Sequence, residues 1–164
     1  MYQDLLLTTG EVACTLIGFV GVVMYLGDRD NNGLSNKDRD GLFHLLFGAI
    51  GALLASFCMV AVQEATSDSP TSWRVGCAVM AIYSLIGILM AASAGAKNEH
   101  SDTGINTFYL PPITISLILA NIAAAAGMTG VYSSLIFVFG VIWLLIISLV
   151  YFIPFIFTRT PGHK

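Results

Sequence analysis

INTFYLPPITISLILANIAAAAGMTGVYSSLIFVFGVIWLLIISLVYFIPFIFT, residues 105–158, holds no charged side chain. As one helix it would rise about 80 Å at about 1.5 Å per residue, against a bilayer hydrocarbon core of about 30 Å. The stretch must therefore turn back on itself. Gly127-Met128-Thr129-Gly130 offers the place, because two glycines permit the φ > 0 backbone of a tight helical hairpin. Pro111 and Pro112 suit the first turn of the helix before this break, where missing N–H donors do no harm. Pro154 is placed to bend or end the helix after it.

Outward from this stretch the chain is only slightly less apolar. Of 164 residues 56% are hydrophobic and 10% charged, with a mean hydropathy of +0.81. A soluble domain carries roughly 25% charged residues, spread along solvated helix faces that are missing here. The composition predicts an all-α integral membrane protein, a single domain built as a compact bundle of five transmembrane helices. The expected spans are 5–27, 41–63, 75–96, 110–127 and 131–157. They are separated by a charged loop at 28–40, a Ser/Thr/Pro turn at 65–74 and a polar stretch at 97–107. The N-terminus lacks a basic leader and has Asp4 in its place, so the first span reads as retained rather than cleaved.

Orientation follows from the basic residues. With five spans, Arg29, Lys37, Arg39, Lys97, Arg159 and Lys164 share one side and only Arg74 lies on the other. The positive-inside rule then predicts the N-terminus outside and the C-terminus cytoplasmic, in a bacterial inner membrane or a plasma membrane. Tyr2, Trp73 and Tyr132 are expected at the outer interface, with Tyr25, Tyr109 and Tyr151 near the inner one. The seven basic residues are scattered and the net charge is −3, which leaves no patch for nucleic acid.

Small residues recur at helical spacing: Gly18 and Gly21 in the first span, Gly48, Gly51 and Ala52 in the second. In lipid, helices gain nothing hydrophobic by associating, so such residues mark close backbone approach. They fit tight packing of one chain and also self-association into a homo-oligomer. Span five, bulky from Phe137 to Ile147, is expected to face lipid or a partner subunit. Cys14, Cys58 and Cys77 all fall in apolar runs and read as packing residues.

Several polar residues stand out, four of them (Glu11, Thr15, Glu64 and Asn121) as candidates for an ion path. Glu11 lies about two turns into the first span with Thr15 one turn on, and a carboxylate at that depth is costly unless paired or hydrated. The second span runs the other way, which is expected to bring Gln63 and Glu64 to Glu11's level as a cation site. The plainer reading puts Glu11 among lipid headgroups, aiding the helix N-terminus. Asn121 is central in span four with Thr114 on the same face, suited to an interhelical hydrogen bond or to pore lining. His44, alone near an interface, is expected to bond locally rather than ligate a metal.

The first loop reads Asp28-Arg29-Asp30-Asn31-Asn32-Gly33-Leu34-Ser35-Asn36-Lys37-Asp38. Its opening resembles the D-x-[DN]-x-[DN]-G start of an EF-hand, which implies Asp28, Asp30, Asn32 and Asp38 as ligands for Ca²⁺. The end departs from that pattern, since Arg39 stands where a bidentate Glu would close a twelve-residue loop. A hydrophilic Asp/Asn/Gly turn accounts for the same residues.

No nucleophile elbow, zinc-protease helix, phosphate loop, dinucleotide fingerprint or haem motif is present, so no enzyme and no other cofactor is expected. The function expected is a homo-oligomeric channel or conduit for small ions, with Glu11, Thr15, Glu64 and Asn121 on its path. The alternatives are a non-catalytic accessory or assembly subunit of a larger membrane complex and, third, a small secondary transporter.

Overall fold

The structure, a computed structural model, describes residues 2–29, 36–66, 69–97 and 110–158, apart from side chains at some helix ends. The described residues are helical, with no strand: α1 (Tyr2–Arg29), α2 (Asn36–Ala65), α3 (Ser69–Lys97), α4 (Leu110–Ala125), a 3₁₀ turn at Gly130–Tyr132 and α5 (Ser133–Thr158). Four of these helices are long and apolar enough to cross a membrane, over Gln3–Tyr25, Gly41–Ala65, Pro70–Met90 and Gly130–Phe152. In an apolar run every amide must be satisfied within its own segment, and a helix does so.

α4 differs from the expected span at 110–127. It has 16 residues, about 24 Å of rise, short of the roughly 30 Å a span needs. Its start is as expected, with Pro111 and Pro112 in the first turn. Its end is set by Gly127 at φ 80°. Gly127 N–H donates to Ala124 C=O and Met128 N–H to Ala123 C=O, both at 3.0 Å, the two bonds of a Schellman motif. Gly130, at φ 54°, then starts the 3₁₀ turn into α5. α5 runs past Pro154 to Thr158 rather than stopping there.

Two other boundaries move. α1 and α2 reach into the expected loop at 28–40, to Arg29 and from Asn36. α3 starts at Ser69 with Pro70 in its first turn, inside the expected turn at 65–74. The Thr66 hydroxyl donates to Val62 C=O at 2.7 Å and pairs with the Ser72 hydroxyl, which closes the α2–α3 connection.

The helices alternate in direction. Gly10 of α1 faces the Phe57 ring of α2, while Val20 clusters with Leu42 and Leu45. Met59 of α2 meets Gly76 of α3, and Tyr83 Oη donates to Phe47 C=O at 2.6 Å. Trp143 Nε1 of α5 donates to the Thr114 hydroxyl of α4 at 3.0 Å. One end of the bundle thus gathers Leu6, Trp73 and Phe137, and the other His44, Ser148 and Tyr151.

α5, expected to face lipid or a partner subunit, does keep Leu135, Phe139, Ile146 and Leu149 outward, but it is also the hub of the bundle. Phe137, Val138, Val141, Leu144 and Leu145 are buried. Phe137 packs on Trp73, the Ser148 hydroxyl donates to Leu45 C=O at 3.1 Å, and Phe152 meets Phe19 edge to face. Its bulk fills the space among the other helices. Trp73, in the first turn of the apolar stretch of α3 and so at one end of the bundle, is buried against Phe137.

Glycines on α2 allow that approach. A methyl at Gly48 would meet the Ser148 hydroxyl and lie 2.9 Å from Leu144 C=O. One at Gly51 would run into the Tyr83 ring, 2.7 Å from Cζ. Gly18 and Gly21 have nothing within 4 Å of such a methyl. Gly51→Ala should therefore displace Tyr83 and cost about 1–3 kcal/mol. Gly18→Ala should leave the protomer as stable or slightly more so, alanine being the better helix former. Reversible unfolding of both variants in micelles checks this, and equal losses would contradict the packing.

Candidate functional site: the outward face of α1

α1 has one docked side and one open side. Leu6, Ala13 and Val20, spaced at sevens, are buried against the bundle. Asp4, Thr8, Glu11, Thr15, Gly18, Val22 and Tyr25 alternate in steps of three and four along the opposite side, and all are exposed. The period keeps them on one face.

The chemistry of this face is unlike that of its neighbours. The outward sides of α2 and α3 carry bulky apolar groups: Leu54 and Phe57, then Val75, Val79, Ile82, Leu85, Ile86 and Leu89. α1 also exposes Leu5, Leu7, Val12, Phe19, Val22 and Met24, but among them it sets a carboxylate, two hydroxyls and an uncovered glycine. Glu11 lies one turn short of Cys14, the middle of the apolar stretch Gln3–Tyr25. Its carboxylate meets no cation or donor among the described residues. Thr15 Oγ1 donates to Glu11 C=O and Thr8 Oγ1 to Asp4 C=O, both at 2.9 Å. Each hydroxyl proton is thus spent inside the helix, leaving the oxygen lone pairs facing outward.

Glu64 is exposed but does not join Glu11. Since Gly10 faces Phe57, Glu11 stands level with the Ser56–Phe57 region of α2. Glu64 lies about two turns further along, roughly 10 Å away in height, beside the start of α1. Asn121 is 2% exposed inside the bundle, against Met80 and Gly140. Its Nδ2 donates to Leu117 C=O of its own helix at 2.8 Å, not across to another helix. Asn121 Oδ1 and Ser56 Oγ have no hydrogen-bond partner among the described residues. Of the four residues singled out, the fold brings only Glu11 and Thr15 together.

His44 stacks on Tyr151 with ring centroids 4.9 Å apart, a local aromatic contact. Cys77 is buried with Sγ 3.4 Å from Ser133 C=O, whereas Cys14 and Cys58 are exposed, and all three thiols are free. Asp30 and Asn32 of the EF-hand-like stretch lie outside the described residues. Asp28 falls in the last turn of α1 and Asp38 in the first turn of α2. No group of three or more potential metal ligands occurs among the described residues.

Sequence inspection missed Thr8 and the placement of Gly18 on Glu11's face. The signal was the three–four spacing from Asp4 to Tyr25, which tells which residues share a face but not whether it is docked. Comparison with known proteins gives no matching family model, curated protein or solved structure.

The same burial pattern predicts thiol reactivity. In micelles a small maleimide should modify Cys14 and Cys58 readily and Cys77 only once denaturant opens the bundle. Mass spectrometry reads the sites, and modification of Cys77 in the folded protein would count against the arrangement of α3 and α5.

Proposed function

We propose that this chain is an integral membrane protein that associates with copies of itself to form a conduit for small ions between their α1 faces. The observation that carries this reading is the exposed polar row Asp4, Thr8, Glu11 and Thr15 on α1, set among apolar side chains like those that make up the outward faces of α2 and α3. Lipid suits the latter. A carboxylate at mid-depth needs water, a counter-charge or a proton-sharing partner. The interior of one protomer is filled by side chains such as Leu6, Met80, Phe137 and Val141, so the path runs between copies. Glu11 and Thr15 then line it, and Glu64 stands near its outer mouth.

In this reading all five helices cross. α4 ends beside Arg74 of α3, whose guanidinium lies against Gly127, and its Thr114 pairs with Trp143 deep along α5. Its shortness calls for local thinning of the bilayer or cover by neighbouring helices. The excess of Lys and Arg in the loops at 28–40 and 97–109 and in the C-terminal segment puts those segments in the cytoplasm.

A second reading, an accessory or assembly subunit of a larger complex, is favoured by the open notches at Gly18 and Gly21. The bundle fills comparable notches at Gly48 and Gly51 with its own side chains, and a foreign helix can fill these two.

The deciding experiment is the mass of the purified protein in nanodiscs together with its conductance in planar bilayers. The conduit reading expects an oligomer that carries current. It also expects a water-soluble thiosulfonate reagent to reduce that current through Cys14, one turn from Glu11, and not through Cys58. A monomer without current discards the conduit, and constant co-purification with one other membrane protein selects the subunit reading. A C-terminal reporter active only outside the cell would reverse the orientation.

A further inference from the structure

The open face of α1 carries a more specific chemistry, which rests on the conduit reading. We infer that Glu11 and Thr15 act as a paired station for a hard, alkali-type cation, the carboxylate setting charge selectivity and the threonine hydroxyl serving as a neutral oxygen ligand.

Glu11 and Thr15 are four residues apart on one helix, which sets their Cβ atoms about 5–6 Å from each other on the same face. The Thr15 proton is held by Glu11 C=O at 2.9 Å, so towards the path this hydroxyl is an acceptor. Thr8, one turn before Glu11, is engaged in the same way with Asp4 C=O. An ionised carboxylate has no proton to give either. From Thr8 to Thr15 the face therefore offers side-chain oxygen acceptors and no side-chain donor.

Such a lining suits one class of solute. Alkali and alkaline-earth cations take oxygen ligands in place of hydration water, and an acceptor-only wall can supply them. A chloride or phosphate ion needs donors, and finds only lone pairs and negative charge. Soft thiophilic metals would favour Cys14, which lies beside this row rather than in it. With several copies around an axis, the carboxylates make one ring and the hydroxyls another about 6 Å along, by the helical rise. Two adjacent sites of unequal strength let an ion bind and then be displaced by the next.

The test uses the full chain in planar bilayers under a KCl gradient, with the reversal potential and the K⁺ conductance read separately. The wild type should prefer K⁺ over Cl⁻. Glu11→Gln should lower that preference about tenfold, the effect of removing one nearby charge per copy at intermediate dielectric. Thr15→Val should keep the preference for K⁺ but lower its conductance several-fold, and Thr15→Ser should restore it. Equal oligomer mass for all variants excludes misfolding as the cause. Current through the wild type with a reversal potential unmoved by Glu11→Gln overturns the station and leaves the conduit standing. Absence of current through the wild type removes the conduit, and the station with it.

Discussion

α5 touches every other helix, and the bundle closes around it through close-packed contacts. If lipid surrounds these helices, burying a leucine against another leucine gains little over leaving it among acyl chains. What remains is dispersion at close range, a few hydrogen bonds, and the backbone approach that glycine allows. The α2–α5 contact uses all three. Gly48 lets the Ser148 hydroxyl reach Leu45 C=O, while Leu144 and Leu145 fill the space beside it. The α2–α3 contact repeats the device, with Gly51 beneath the Tyr83 ring and the phenol on Phe47 C=O.

A hub of that kind leaves peripheral helices attached by one side only. α1 docks through Leu6, Ala13 and Val20 and turns its other side away. That side carries Leu5, Leu7, Val12, Phe19, Val22 and Met24, as a lipid-facing helix would, but also the row Asp4, Thr8, Glu11 and Thr15, which the middle of α3 lacks. The polarity of the α1 face is therefore not a by-product of how the bundle packs. Replacing Glu11 or Thr15 by leucine would touch no neighbouring helix and would cost only the Thr15 hydroxyl's bond to Glu11 C=O within α1.

How much of this was legible in the sequence depends on which physical signal each feature leaves. The α4–α5 break was readable because only glycine takes positive φ cheaply, and Gly127 and Gly130 both do. The prolines at the start of α4 were readable for the matching reason at a helix N-terminus. The role of α5 was not. Phe, Ile, Leu and Trp are what a helix shows to lipid and also what it packs into a core, and hydropathy does not distinguish the two. The heights of Glu11 and Glu64 could not be read either, because connection length does not fix where antiparallel helices come into register. The exposed face of α1 was half legible: its period was on view, its lack of a partner was not.

The interior polar groups show why the outward ones carry the functional weight. Ser148, Tyr83 and Trp143 each give their proton to a neighbouring helix, and each such bond fixes a contact. Asn121 and Ser56 keep one unpartnered oxygen apiece at mid-depth, an energetic cost that the packing around them bears. None of these groups carries a formal charge, and all are walled in by apolar side chains. Among the described residues, Glu11 is the carboxylate nearest the middle of an apolar helix, and it faces away from the bundle. A site on the outside of a single chain acquires walls only when something else provides them, which is why the proposed conduit needs more than one copy.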